Sequence, residues 1–78
     1  MNEKQALSAF AALSQETRLR IVRLLVTAGP DGMPAGAIGE AMAGASSSRM
    51  SFHLSPLEQA GLVESRRDGR SIIYSAAL

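Results

Sequence analysis

Three consecutive serines followed by an arginine, Ser46-Ser47-Ser48-Arg49, with Ser51, Phe52 and His53 close behind, hold the densest chemistry in this 78-residue sequence. Hydroxyls and unpaired backbone N–H groups at a helix start suit phosphate oxygens, because the donors and the helix dipole both favour an anion there. Arg49 adds a guanidinium that can meet a phosphate or the O6 and N7 atoms of guanine. Serines alone could equally cap a helix on a solvated turn. A second basic cluster, Arg66, Arg67 and Arg70, stands against the single acid Asp68 around an Asp-Gly pair. Such a surplus of positive charge on a projecting turn is an electrostatic footprint for a polyanion, or else a charged turn that serves solubility.

Other chemistries find little support. His53 is the only histidine and there is no cysteine, so a thiolate or multi-histidine metal site is not expected within these residues. Ser51 and His53, two apart on a helix, point in different directions and make a poor nucleophile and base pair. No glycine-rich phosphate loop, paired-carboxylate motif or H-E-x-x-H sequence occurs. The expectation is a protein with no catalytic residues, no metal and no cofactor. The overall charge of +1, from 8 basic and 7 acidic residues, carries no message, so any polyanion site must be local. Arg20 and Arg23 share a helix face assigned to solvent, as Arg18 is, with Glu16 and Arg20 forming a surface pair worth ~0.3–0.5 kcal/mol. The longest apolar run, Ala9 to Leu13, is far too short to cross a bilayer, and the N-terminus lacks a signal pattern. The chain reads as soluble, untargeted and cytoplasmic, without a membrane partner.

These groups need elements to hold them. Asn2 and Gln5 form a capping-box pattern opening a helix over 3–13, with Ala6, Leu7, Phe10, Ala11 and Leu13 at helical spacing. Ser14 caps a helix ending at Gly29, with a stripe of Leu19, Val22, Leu25 and Val26 flanked by Ile21 and Leu24. After the Gly29-Pro30-Asp31-Gly32 loop, Pro34 opens a helix with Ala37, Ile38, Ala41 and Met42 inward, stopped by Gly44. A serine among Ser46 to Ser48 caps a further helix to Gly61, with Met50, Leu54 and Leu57 on its apolar face. Pro56 falls inside it and predicts a kink, or an end near Ser55 and a restart. Last come two β-prone runs, Leu62 to Ser65 and Ser71 to Tyr74, joined across Asp68-Gly69 as a hairpin. The fold class expected is mainly α with a small β-hairpin, a winged helix-turn-helix of four helices and a two-stranded wing, forming one domain over 1–78. With 13 alanines among its apolar residues the core must be thin, and a partner chain is the remaining source of support.

The stretches Ala12-Leu13-Ser14-Gln15-Glu16-Thr17-Arg18-Leu19-Arg20-Ile21, Ser47-Ser48-Arg49-Met50-Ser51-Phe52-His53-Leu54 and Leu57-Glu58-Gln59-Ala60-Gly61-Leu62-Val63 resemble the ArsR (ArsR/SmtB) family of bacterial winged-helix regulators. The wing from Arg66 to Tyr74 fits as well. The resemblance implies a homodimeric repressor that binds double-stranded operator DNA and is released by an inducer, unknown here. It carries DNA contacts over to Ser47, Ser48, Ser51 and Phe52, with His53 adjoining and Arg67 and Arg70 in the wing; Ser46, Arg49 and Arg66 join them from the charge pattern. Three departures stand out. Ala35-Gly36-Ala37-Ile38-Gly39-Glu40 replaces the cysteine-based metal site that several members carry. Phe52 replaces a polar residue, leaving an apolar contact to a thymine methyl or packing. Members usually continue into a C-terminal helix, whereas this chain stops at Leu78. Either it is a trimmed domain, or the natural protein dimerises mainly through its first helix, where Ala6, Ala9, Phe10 and Leu13 could meet a partner. A winged-helix module that docks an acidic protein partner is the competing expectation.

Overall fold

The computed structural model describes residues 2–4, 16–42 and 44–77. In chain order these form α1 (Glu16–Ala28), a 3-10 turn (Gly29–Asp31), β1 (Met33–Pro34), α2 (Ala35–Ala41), α3 (Ser47–Gln59), β2 (Val63–Asp68) and β3 (Ser71–Ala76). The helix expected over 3–13 lies outside the described residues beyond Glu3 and Lys4, and so does its proposed dimer face of Ala6, Ala9, Phe10 and Leu13. The described part is a winged helix-turn-helix: three helices packed against a small antiparallel sheet.

α1 turns Ile21, Val22 and Leu25 into the core. The apolar stripe is therefore rotated from the expected one, because Leu19 and Val26 are exposed and Ile21 is central. Arg18 lies three residues before Ile21 and four before Val22, so it shares the core-facing side and is half-buried. The expected solvent exposure holds for Arg20 and Arg23, while Arg18 is corrected.

Between α1 and α2 the sequence suggested only a loop. Instead Met33 pairs with Tyr74 and Pro34 with Ile73, making β1 the edge of a three-stranded sheet ordered β1-β3-β2. An edge strand tolerates Pro34, which has no N–H to give a ladder. Pro34 thus stands at the N-cap of α2 with extended backbone, φ −71° and ψ 156°, and does not open the helix itself. Ile38 and Gly39 are its buried residues, whereas Ala41, expected inward, is exposed.

The turn from α2 to α3 is drawn tight around Gly39. Its carbonyl accepts from the N–H groups of Gly44 at 3.0 Å and Ala45 at 2.9 Å. A Cβ on Gly39 would overlap the Ala45 carbonyl oxygen and press on Met50 at 3.3 Å. Glycine is what lets the two helices meet there.

Ser46 caps α3, its Oγ accepting from the Arg49 N–H at 3.2 Å. Met50, Leu54 and Leu57, spaced by four and three, are fully buried along one side. The helix runs unbroken through Pro56, against the expected end and restart. Leu54 and Leu57 anchor the chain in the core on either side of it, and the carbonyl that Pro56 cannot bond belongs to the exposed residue Phe52. The far end closes as a Schellman motif: the Leu62 N–H donates to Leu57 at 2.9 Å and the Gly61 N–H to Glu58 at 3.0 Å, with Gly61 at φ 77°. Leu57 and Leu62 are both in the core, which is as thin as the composition implied.

β2 and β3 form the expected hairpin, with Val63 opposite Ala76 and Asp68 opposite Ser71, so the two turn residues are Gly69 and Arg70. Only Val63 of β2 is buried. The rest of the strand projects as the wing, tied to α3 by the Ser65 hydroxyl donating to Glu58 at 2.6 Å.

Candidate nucleic-acid interface

α3 is amphipathic in an unusual sense: one side is core, and the other is a small polar face with an aromatic ring on it. Ser48, Arg49, Ser51 and Phe52 are all exposed. Phe52 is 71% exposed, the most exposed large apolar side chain of the described residues. Its ring meets His53 edge-on, with centroids 5.7 Å apart and planes at 79°. Ser47 opens the helix; its side chain lies outside the described residues. The Ser46 Oγ accepts in the cap, which leaves its O–H to donate to an anion. Ser55, seven residues after Ser48, continues the exposed face and was not singled out from sequence.

The arginine cluster of the wing is divided by the strand geometry. Arg67 lies on β2 opposite Ile72 and Arg70 sits in the turn, both exposed. Arg66 projects from the opposite face of the strand to Arg67. Its guanidinium donates to the carbonyls of Pro30 at 3.2 Å and Asp31 at 2.7 Å, clamping the wing to the 3-10 turn. Arg66→Met keeps the stem and removes both bonds; at this exposed site the expected loss is about 1 kcal/mol, read as a lower urea midpoint. An unchanged midpoint would show that the clamp contributes nothing. Among the described residues the one ion pair is Arg20 with Glu16 at 2.8 Å, the predicted surface pair, which leaves Arg49, Arg67 and Arg70 unneutralised there.

His53 is half-buried on the flank of α3. Burial lowers its affinity for a proton below the ordinary value near 6.5, and the charges of Arg18 and Arg49 lower it further. Among the described residues neither His53 Nδ1 nor Arg18 Nε, both out of solvent, finds a hydrogen-bond partner. The unfolded chain therefore takes up a proton that the folded chain resists. Stability should be level above pH 6.5 and decline as pH falls below it. Thermal melts on both sides of that pH should show the decline, and His53→Gln should reduce it; identical pH profiles for parent and variant would contradict the assignment.

No group of three metal-ligating side chains occurs among the described residues, and no described helix is long and apolar enough to cross a membrane.

Comparison with known proteins places this geometry. Residues 13–66 match the helix-turn-helix domain family. The HTH-type transcriptional regulator Rv0081 of Mycobacterium tuberculosis is 38% identical over 71 residues, a match covering 87% of this chain and 57% of that protein. The chain thus spans little more than half the length of that relative. Among solved structures, the homodimeric winged helix-turn-helix DNA-binding domain of Mb0332 from Mycobacterium bovis superposes with a TM-score of 0.84 at 33% identity, over 96% of this chain and 66% of that one. An ArsR-like transcriptional regulator from Rhodococcus sp. RHA1 gives 0.74 at 37% identity, over 94% and 65%. HlyU from Vibrio cholerae gives 0.81 at 26% identity, over 100% and 83%. By sequence and by fold, the chain belongs to the helix-turn-helix domain family, in the winged form of the ArsR-type regulators.

Proposed function

We propose that this chain is the DNA-binding part of a dimeric transcriptional repressor, with α3 lying in the major groove of an operator and the wing beside it on the backbone. The reading rests above all on one observation: a helix anchored by Met50, Leu54 and Leu57 that presents Ser48, Arg49, Ser51 and Phe52 outward, in the second-helix position of a helix-turn-helix. Side chains held from behind by a packed core keep one geometry, which base reading requires.

Arg49, on the opening turn of α3, meets a phosphate or a guanine edge. Ser47, Ser48 and Ser51 fix register through hydroxyl contacts, and His53 adjoins them. Phe52 offers a thymine methyl an apolar surface. Arg67 and Arg70 hold the backbone electrostatically. Arg66 has two of its donors committed to the 3-10 turn, so it positions the wing and contributes charge only. Dimerisation through Ala6, Ala9, Phe10 and Leu13, release by a small inducer, a cytoplasmic site of action and the absence of enzymatic activity complete the reading.

Fluorescence anisotropy of labelled genomic fragments tests it. Binding at low salt that weakens steeply as salt rises is expected, through release of counterions from the DNA. No binding at micromolar protein in low salt would overturn it and favour docking on an acidic protein instead. Arg49→Ala is expected to cost about 1–3 kcal/mol on a selected fragment if it reads guanine. Equal loss on random DNA would assign Arg49 to the backbone.

A further inference from the structure

A cavity of about 560 Å³ opens between the first turn of α1, the end of α2 and the first turns of α3. Its volume falls within the usual range of small-ligand sites, at roughly 300–1,000 Å³, and far exceeds what one inorganic ion fills. Its lining mixes two chemistries. Thr17, Arg20, Arg49 and His53 are polar. Ala41, Met42 and Met50 are apolar.

The electrostatics of the polar lining residues favour negative charge. Arg20 is neutralised by Glu16, with N···O 2.8 Å, and among the described residues no acid within 4.0 Å offsets Arg49 or Arg18. Both of these charges reach His53 strongly enough to oppose its protonation, after burial itself. An imidazole on the wall of the cavity is thus held in a positive field, with no described carboxylate facing it closely. A carboxylate or phosphate placed there would relieve that field, and an apolar body attached to it would cover the methionines.

We propose that this cavity is the seat of a small organic anion, its charged end held by Arg49 and Thr17 beside His53, its apolar body resting on Ala41, Met42 and Met50. Because Arg49 also belongs to the outward face of α3, an occupant would draw on the same guanidinium that DNA would use. The seat itself does not rest on DNA binding and can be tested without it. A DNA phosphate carries the same charged chemistry without the apolar body, so the two sources separate experimentally.

His53 is the sole histidine, so its ring protons give one unambiguous NMR signal. In the free protein, sodium benzoate is titrated against sodium chloride at constant ionic strength. The expected result is a saturating displacement of the His53 signal with benzoate, none with chloride, and an upward move of the His53 titration midpoint in the complex. Arg49→Gln should weaken benzoate binding roughly tenfold or more. That variant should keep its helix content by circular dichroism, since the Ser46 cap is met by the Arg49 backbone N–H and not by its side chain. Equal responses to benzoate and chloride would overturn the proposal, as would undiminished benzoate binding by folded Arg49→Gln. A His53 response to a short duplex with none to benzoate would assign the cavity to DNA backbone and likewise overturn the organic-anion seat.

Discussion

Gly39→Ala is expected to lower stability by about 2–3 kcal/mol, a fall in Tm on the order of 10–20 °C for a domain of this size. The added methyl would land on the Ala45 carbonyl oxygen, a backbone atom that cannot swing aside, and would press on Met50 behind it. Relief requires α2 and α3 to separate, which breaks the bonds from the Gly44 and Ala45 N–H groups to the Gly39 carbonyl. Gly36, three residues earlier on the same helix, is exposed. Gly36→Ala should be neutral or stabilising by up to ~1 kcal/mol, through helix propensity. Opposite signs at two glycines of one short helix would locate the constraint in the turn; equal effects in thermal melts would refute it.

Gly39 also shows where sequence reading stops. Glycine within a helical pattern signals either a weak position or a close approach, and the spacing of Ala37, Ile38, Ala41 and Met42 does not separate them. What was legible follows from local rules: the serine cap of α3, its Met50-Leu54-Leu57 side, the glycine stops at Gly29 and Gly61, and the hairpin around Asp68-Gly69; α2 instead ends at Ala41, short of the expected stop at Gly44. What was not legible depends on residues far apart in the chain. β1 is two residues long and contains a proline, so it has no period to detect; only its pairing with Ile73 and Tyr74 makes it a strand. In the α1 stripe Val22 and Leu25 are buried as expected, but Ile21 replaces Leu19 and Val26, which match the helical period as well as Ile21 does. Tertiary packing chose between them, and in doing so brought Arg18 to the core side near His53. At Pro56 the helix continues where an end and restart was one expectation, with Leu54 and Leu57 buried on either side.

The candidate site divides along the same line. On the exposed face of α3, Ser48, Arg49 and Ser51 follow from residue type and position after a helix cap, whereas Phe52 came only with the family resemblance. The wing arginines formed one cluster by sequence and two by structure, since alternation along β2 and a contact 35 residues away commit Arg66 to the Asp31 carbonyl. The cavity flanked by Arg49 and His53 had no sequence signature at all, because its walls come from three helices.

Charge reversal in the wing should have the largest effect on function. Arg67→Glu combined with Arg70→Glu removes two cations that no acid among the described residues neutralises, and replaces them with repulsion. Every phosphate that the protein no longer neutralises lowers the slope of log K against log salt by about 0.9 in magnitude, so the double variant should lose nearly two units of slope. Affinity at low salt should fall roughly a hundredfold or more on every duplex, specific or random, because phosphate contacts carry no sequence information. Stability should change little, as neither side chain is tied to the rest of the described fold, whereas Arg66→Met should destabilise with a smaller effect on slope. Anisotropy at several salt concentrations measures both quantities. An unchanged slope for the double variant would show that the wing does not reach the backbone.

Which surface of the protein meets DNA is read out by amide NMR mapping as a bound duplex is added. Signals of Ser48, Arg49, Ser51 and Phe52 on α3, and of Arg67 to Arg70 in the wing, should shift or broaden first, with Leu19 and Val26 on α1 unaffected. Perturbations gathered on α1, with α3 and the wing silent, would contradict the assignment of α3 and the wing to the DNA.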